Sequence, residues 1–586
     1  MTQASTSRRP ALLCSLILLV CVLAAHPVAE IGMNDDWSYV QSARILANTG
    51  HIVYNGWAAP ILGWQLFLGA LFVRLFGPSF TAIRASTLFI ALIAAFLTQR
   101  TLVRAGISSR NATIGTLVLV LSPLVLPLEF SFMTDIDAFF CVILCLYACL
   151  RALQTQTNSA VLAWLALAAL SNAVGGTVRQ NVWLGVLVMF PCAIWLLRRR
   201  PHVLLTGALL YTASIPVIYF SLRWFAQQPY SIPEHLFDGI PDRSQINHLS
   251  VQLLSLFLSS ALFLLPILIV FIPAISFRNR RAAVSFIAGA LLWIGLGSFI
   301  VLRHPRVLIS LVAPFLGDCV TRFGLVDTFP LKGLSPEVLT TGPRLLLTFL
   351  VLLTLICFFT VLFTSRRISP PVHAQTPVPQ LISWPTLFVL TGPFALAYLA
   401  LLLPRALRGD IYDRYFLLLF PIALIFLLRL YQERVQPNLP LLTSVFVAIF
   451  SLFAVAGTHD AFAICRAKAA AVTQLRVAGV ADTSIDAGFE HNGAAQIDQY
   501  GYIDDPHIHM PPNARTLQPA AFPDNCQPQF LQFTPAIVPG YALSIDPAAC
   551  GGPSTFTPIS YRKWLAARSI SIYIVHTARP ASAQHE

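Results

Sequence analysis

The stretch Asn34-Asp35-Asp36-Trp37-Ser38-Tyr39 lies directly after the first apolar segment of this 586-residue chain. A second acidic cluster, Met133-Thr134-Asp135-Ile136-Asp137, lies directly before the fourth apolar segment. Carboxylates beside hydrocarbon are costly to keep ionised, so those that occur there usually bind or react with a polar partner. In a chain with 56% hydrophobic and 11% charged residues, the two clusters predict a membrane enzyme.

The composition indicates a polytopic membrane protein. A mean hydropathy of +0.71 over 586 residues excludes a soluble globular protein. A spanning helix needs about 20 apolar residues, and thirteen spans are predicted, near residues 11–29, 80–104, 111–128, 136–153, 159–178, 182–197, 203–225, 249–277, 282–302, 345–365, 384–404, 415–431 and 439–457. The basic start and small residues of the first span also fit a cleaved signal peptide, which would leave the topology downstream unchanged.

The positions of the basic residues predict the orientation, since cytoplasmic loops retain Lys and Arg. Arginines such as Arg8, Arg151, the run Arg198 to Arg200 and Arg434 fall on one side if the N-terminus is cytoplasmic. Both acidic clusters and residues 458–586 then lie on the outer face. The formal net charge of +13 follows from this topology, so we expect no nucleic-acid partner.

Residues 59–77 are apolar, yet we do not predict a span there. They include Gln65 and Arg74 and end at Gly77-Pro78. A span at this point would put Asp35 and Asp135 on opposite faces of the membrane. We therefore predict a helix in the outer interface, beside an amphipathic helix from Trp37 to Ala47, both within a first outer loop of residues 30–79.

An ordered series of short motifs runs through the N-terminal third. Its members are Asp35-Asp36-Trp37-Ser38-Tyr39, Ala43-Arg44-Ile45-Leu46-Ala47-Asn48-Thr49-Gly50, Pro60, Leu75-Phe76-Gly77, Arg84-Ala85-Ser86 and Thr134-Asp135. The series resembles the N-terminal half of the GT-C glycosyltransferases. It is most similar to the branch containing protein O-mannosyltransferases and the lipid A aminoarabinose transferase. The resemblance covers residues 10–200, and only loosely the later spans, and implies a GT-C-like α-helical transmembrane domain over residues 1–457.

The resemblance also implies a reaction, namely inverting transfer of a hexosyl or pentosyl group from a polyprenyl-phosphate carrier. The acceptor would be a lipid, glycan or protein at the outer face, which in a bacterium is the periplasmic face of the inner membrane. By similarity Asp35 is the base, Asp36 positions it or the acceptor, and Asp135 completes the site. As an alternative, Asp35 and Asp135 could simply be helix N-caps.

Arginines at the outer ends of spans are the candidate ligands of the carrier phosphate. Arg179, Arg306 and Arg414 are the candidates, because guanidinium groups match phosphate oxygens in bidentate geometry. The segment Tyr412–Leu417 is similar to a late motif of the family in which the arginine faces the phosphate. The alternative, snorkelling to lipid headgroups, is favoured for Arg405 and Arg408.

The chain departs from the aminoarabinose transferase at one position. That enzyme carries a lysine before the proline of the interfacial helix, whereas this chain has Ala59 before Pro60. One phosphate or sugar contact is therefore missing or supplied elsewhere, and the identity of the sugar cannot be carried over. The predicted reaction requires no metal, although Asp35 with Asp36, or Asp135 with Asp137, could hold Mg²⁺ or Mn²⁺.

The composition becomes polar after residue 457, and residues 458–586 are predicted to form a small α/β outer domain. Strands are predicted at Gln529–Thr534 and Ser569–His576, and Cys526 and Cys550 are the preferred disulfide partners.

Two rival functions stay open. A flippase or transporter of lipid-linked sugars would show paired repeats or charges deep within several spans. A ligase or polymerase of carrier-linked polysaccharide would show large outer loops with Arg or His and no early Asp pair.

Overall fold

The computed structural model is a helical bundle that carries a small mixed domain at one end. It describes residues 7–233, 241–275, 279–303, 311–326, 331–333, 335–365, 382–409, 411–511 and 517–577. The helices are α1 Arg9–Ala24, α2 Asp36–Thr49, α3 Gly63–Phe76, α4 Phe80–Arg104, α5 Ser109–Val120, α6 Thr134–Gln154, α7 Asn158–Gly175, α8 Phe190–Leu196, α9 Pro201–Ala226, α10 Arg243–Phe263, α11 Leu265–Leu268, α12 Arg280–Arg303, α13 Thr341–Thr364, α14 Trp384–Arg408, α15 Phe420–Arg434, α16 Leu441–Val477 and α17 Phe489–Tyr500.

Within the described residues, nine helices are long and apolar enough to cross a membrane: α4, α6, α7, α9, α10, α12, α13, α14 and α16. The other four predicted spans correspond to shorter or interrupted helices. α1 has only 16 residues, α5 stops before Pro123, α8 is preceded by a 3₁₀ segment and a π-helical turn, and α15 is preceded by the 3₁₀ segment Asp413–Leu418. An α-helical polytopic membrane protein is thus confirmed, whereas the count of thirteen stays a prediction.

The first outer loop contains two short helices, as predicted. α2 and α3 are each 14 residues long, which gives a length of about 21 Å against a hydrocarbon thickness of about 30 Å. The two helices pack against each other, and α3 also packs on α4. Their placement in the membrane interface stays a prediction.

A buried ion pair fixes the start of this loop to α4. Asp36 accepts from Arg84 Nε at 2.7 Å and from Arg84 Nη2 at 3.1 Å, and both side chains are fully buried. Arg84 also donates to the carbonyls of Ala29 and Ile31, and Asp36 accepts from the Met33 backbone N–H. Every charge in this clamp is therefore paired, and Asp35 is held at the N-terminus of α2.

The C-terminal domain is built on the end of α16. This helix has 37 residues, about 55 Å, so it extends well beyond a bilayer core. A four-stranded sheet of order β3-β4-β6-β5 packs on it, with strands β3 Ile485–Asp486, β4 Tyr541–Ser544, β5 Ile559–Lys563 and β6 Arg568–His576. β3 is parallel to β4, and the other pairs are antiparallel. A separate hairpin lies between α12 and α13 and pairs β1 Val320–Thr321 with β2 Gly324–Leu325.

Three sequence predictions about this domain have clear outcomes. The predicted strand Ser569–His576 lies within β6, and Cys526 and Cys550 form a disulfide. The strand predicted at Gln529–Thr534 is wrong, because Phe530 takes a left-handed conformation with φ 55° and begins a 3₁₀ turn. The predicted domain boundary at residue 458 stays a prediction; it falls inside α16, which runs continuously through it.

The clamp between Asp36 and Arg84 gives a stability prediction. Asp36→Asn leaves the Arg84 cation buried without its counter-charge, which costs about 3–5 kcal/mol of unfolding free energy. Denaturant unfolding of the purified full-length chain in detergent measures the loss. The matched control is Asp482→Asn, which breaks the surface pair with Arg476, whose side chains are 54% and 33% exposed, and costs less than about 1 kcal/mol. Equal losses in the two variants would contradict the assignment.

Candidate active site

The two predicted acidic clusters meet at one end of the bundle. Asp35 precedes α2 and Asp135 lies in the first turn of α6. Neither carboxylate caps its helix: no side-chain hydrogen bond caps α2, and the residue at the cap of α6 is Met133. The N-cap alternative is therefore contradicted, and both side chains point into a shared polar cluster.

Arg414 joins the carboxylates of this cluster. It lies in the 3₁₀ segment before α15, and its side chain is only 9% exposed. Its guanidinium group is 3.4 Å from Asp35 Oδ2, 3.8 Å from Asp135 Oδ2 and 3.0 Å from Asp318 Oδ2. One cation thus bridges three carboxylates that come from three separate segments of the chain.

Arg179 supplies the second cation. It follows the end of α7 in an extended conformation and forms an ion pair with Asp135 Oδ1. Its guanidinium carbon lies 5.2 Å from the centre of the Tyr415 ring, close enough for a cation–π contact. The carboxylate of Asp135 is therefore held between Arg179 and Arg414.

Asp35 differs from its neighbours in exposure. Its side chain is 17% exposed, against 2% for Asp135 and 3% for Asp318. The indole Nε1 of Trp57 donates to Asp35 Oδ1 at 2.9 Å, so the carboxylate is oriented from the first outer loop. Trp57 in turn packs on Trp37, Phe489 and Phe533.

Asp36 is adjacent in sequence but belongs to a different environment. Its carboxylate accepts hydrogen bonds from Arg84 and from the Met33 backbone N–H, and its side chain is fully buried. The structure therefore does not bring Asp36 into the cluster with Asp35 and Asp135. Arg306 lies outside the described residues, whereas Arg405 stands over the rings of Tyr412 and Tyr415.

Asp318 is the residue that the sequence analysis missed. It lies in the connection between α12 and α13, just before the β1–β2 hairpin, and it accepts a hydrogen bond from Asn34 Nδ2 at 3.2 Å. The available signal was its position, an acidic residue in a loop that the predicted topology puts on the outer face. Burial raises the pKa of its carboxyl, and the nearby charge of Arg414 opposes the rise.

Asp413 holds the backbone of the loop that carries Asp318. Its two carboxylate oxygens accept from the backbone N–H groups of Cys319 and Val320 at 3.0 and 2.9 Å. Burial, with the charge of Asp318 as a second cause, raises the pKa of Asp413 to about 8. The position of Asp318 next to Arg414 is thus fixed through the loop backbone.

Divalent-cation ligands are present in the cluster. Ligand atoms of Asp318, Cys319 and Asp413 lie within 4.8 Å of one another. Two features make this a poor fit for a resident metal: both Asp413 oxygens already accept backbone hydrogen bonds, and burial raises the pKa of the Cys319 thiol well above its usual value. Of the pairs predicted from sequence, Asp35 with Asp36 is not assembled, because Asp36 faces Arg84.

Comparison with known proteins gives similar structures but no sequence relatives. No protein-family model and no curated protein matches the chain. ArnT from Cupriavidus metallidurans in the apo state has 15% identity and a TM-score of 0.39, with 96% of this chain and 97% of ArnT covered. The oligosaccharyltransferase AglB from Archaeoglobus fulgidus has 15% identity and a TM-score of 0.37, with 79% and 57% covered.

A third similar structure is the arabinosyltransferase EmbB from Mycobacterium smegmatis. It has 14% identity and a TM-score of 0.32, with 87% of this chain and 45% of EmbB covered. At these scores the likeness carries no correspondence between individual residues. These three proteins are GT-C glycosyltransferases, and ArnT belongs to the branch that the sequence resembles, as predicted.

Proposed function

We propose that the chain is an inverting glycosyltransferase that moves a sugar from a polyprenyl-phosphate carrier to an acceptor at the outer face of the membrane. The observation that carries the proposal is the bridge from Arg414 to Asp35, Asp135 and Asp318. The partly exposed Asp35 pairs with Arg414, and Arg414 shares the Asp135 carboxylate with Arg179. A single displacement at an anomeric carbon requires a base for the acceptor and a cationic site for the departing phosphate.

Asp35 is the proposed base. It is the most exposed carboxylate of the three, and Trp57 orients one of its oxygens. The other oxygen faces Arg414 at 3.4 Å, which leaves it available to take a proton from an acceptor hydroxyl or amine as the phosphate engages the arginine. Asp36 is a positioning residue in this proposal, because its ion pair with Arg84 holds the start of α2 against α4.

Arg414 and Arg179 are the proposed phosphate ligands. Asp135 and Asp318 orient the two guanidinium groups and, with Asp35, compensate their charge before the donor arrives. Gln180 donates to the Ala59 carbonyl at 3.0 Å, so the loop carrying Arg179 lies against the position where the aminoarabinose transferase has its lysine. Arg179 is thus the proposed substitute for that missing contact.

The proposed mechanism needs no metal, since phosphate is a good leaving group when two arginines stabilise its charge. Among the described residues, Asp318, Cys319 and Asp413 have ligand atoms close enough together for a divalent cation, but both Asp413 oxygens already accept backbone hydrogen bonds. The acceptor is a lipid, glycan or protein, and the sugar a hexose or pentose.

Replacing the proposed base tests the chemical step. Asp35→Asn removes proton abstraction and is expected to lower transfer by about 10²–10⁴-fold. The measurement is mass spectrometry of envelope glycans and carrier lipids in a deletion strain that carries either the wild-type chain or the variant. Asp505→Asn, at an outer position away from the cluster, is the control. Wild-type transfer by the Asp35→Asn protein at equal abundance would exclude Asp35 as the base.

Replacing the arginines tests the phosphate site. Arg414→Lys and Arg179→Lys keep the charge but lose the bidentate fork, so each is expected to weaken donor binding by about tenfold or more. Titration of the purified protein with polyprenyl phosphate measures this effect. Arg322→Lys is the control, because it alters an exposed pair with Glu337 in the same outer loop that carries Asp318. Unchanged affinity in both cluster variants would remove the phosphate assignment.

Removal of divalent cations separates the metal-free mechanism from its alternative. Transfer measured after EDTA treatment and desalting is expected to equal that of the untreated protein, because the two arginines carry the electrophilic role. Loss of transfer with recovery on adding Mg²⁺ or Mn²⁺ would contradict this mechanism. In that case Asp318→Asn should weaken the cation dependence as well as transfer.

A further inference from the structure

Two adjoining cavities open at the end of the bundle opposite the carboxylate cluster. α12 begins there at Arg280, and the loop that carries Asp318 follows its other end, about 36 Å away along the helix. The cavities measure about 660 Å³ and about 350 Å³. Asn279 and Thr364 line both, so the two form one polar recess between α12 and α13.

The recess is strongly basic. Arg280 and Arg281, in the first turn of α12, line the larger cavity and are exposed, and Arg434 lines the smaller one. Arg434 donates to the Leu362 carbonyl at 2.6 Å, which occupies one of its five N–H groups. Among the described residues that line the recess none is acidic. It therefore presents three guanidinium groups with no counter-charge in its lining.

Apolar side chains adjoin these arginines. Val284 lines the larger cavity one turn beyond Arg280 and is 59% exposed, and Phe363 on α13 is 75% exposed. Ala282 of α12 is buried, but no residue of an 18-residue apolar stretch of this helix is, so α12 presents most of its apolar surface to its surroundings. A free phosphate would contact only the arginines, whereas a lipid would place its headgroup on them and its acyl chains along Val284 and Phe363.

We infer that this recess binds the headgroup of an anionic phospholipid, with Arg280 and Arg281 on the phosphate and the acyl chains against α12 and α13. Guanidinium forks match phosphate oxygens, and basic pockets between membrane helices recognise acidic headgroups. The hydroxyl group of Ser285 supplies a neutral hydrogen-bond donor beside them, whereas that of Thr364 donates to the Thr360 carbonyl at 2.6 Å. The site is separate from the carboxylate cluster and does not depend on the proposed transfer reaction.

Direct lipid titration tests the inference. The purified full-length chain, delipidated in a neutral maltoside detergent, is titrated with dioctanoyl phosphatidylglycerol, dioctanoyl phosphatidylcholine or inorganic phosphate and followed by native mass spectrometry. Phosphatidylglycerol is expected to bind about tenfold more tightly than phosphatidylcholine. The double variant Arg280→Gln, Arg281→Gln is expected to lose about 30-fold in affinity, since each arginine near an anionic lipid contributes about a factor of five.

Two further variants make the test specific. Arg198→Gln, Arg199→Gln removes the same charge from another loop predicted on the same face, and it should leave phosphatidylglycerol binding within about twofold. Arg280→Lys, Arg281→Lys keeps the charge and should retain part of the affinity, which guards against a folding defect in the glutamine pair. The inference is overturned if the two lipids bind equally, if both glutamine pairs lose affinity alike, or if inorganic phosphate binds as tightly as phosphatidylglycerol.

Discussion

The contacts of the Arg414 guanidinium group are the interactions on which this end of the bundle depends. Asp35, Asp135 and Asp318 converge from segments at least 100 residues apart in the sequence, and Asp135 and Asp318 are almost fully buried. Buried carboxylates that lie close together repel strongly, so the three aspartates can be ionised together only around a cation. Arg414, assisted by Arg179, is that cation. The charges that hold these three segments together therefore also form the site that a phosphate would enter.

Neighbouring acids in the sequence take different roles for a geometric reason. Successive residues at the start of a helix point about 100° apart, so Asp35 and Asp36 cannot face the same partner. Asp36 is directed at Arg84, where both of its oxygens accept hydrogen bonds and the side chain is fully buried. Asp35 is directed at Trp57 and Arg414, where it keeps partial access. A paired carboxylate motif here combines a structural clamp with an accessible acid.

Sequence patterns predicted the long apolar helices and the meeting of Asp35 with Asp135, because both follow from hydropathy and from the sidedness of arginines. Three spans with prolines were harder: Pro123, Pro191 and Pro421 coincide with shortened helices or with 3₁₀ and π turns, whereas Pro216 and Pro393 lie inside unbroken long helices, so apolar length alone cannot reveal such interruptions. Asp318 was missed because its loop has no motif. Its place in the cluster depends on tertiary contacts from Asn34 and Asp413, which no local pattern encodes.

The C-terminal domain reaches the cluster through two independent contacts, which argues against a role as a simple cover. Lys332, on the loop after the β1–β2 hairpin, forms an ion pair with Asp486, and its backbone carbonyl accepts from the Ile545 N–H and the Ser544 hydroxyl beside β4.

The second contact runs from the same domain to Asp35. Phe489, at the start of α17, packs on Trp57, and Gly493 lets α17 approach Trp37 so closely that a Cβ would lie 2.5 Å from its ring. Trp57 donates directly to Asp35. Lys332 anchors the connection between α12 and α13, which also carries Asp318. A shift of this domain would therefore move the hydrogen bond to Asp35 and the loop of Asp318 together. Under the proposed function, the domain sets the geometry of the base as well as the access of the acceptor.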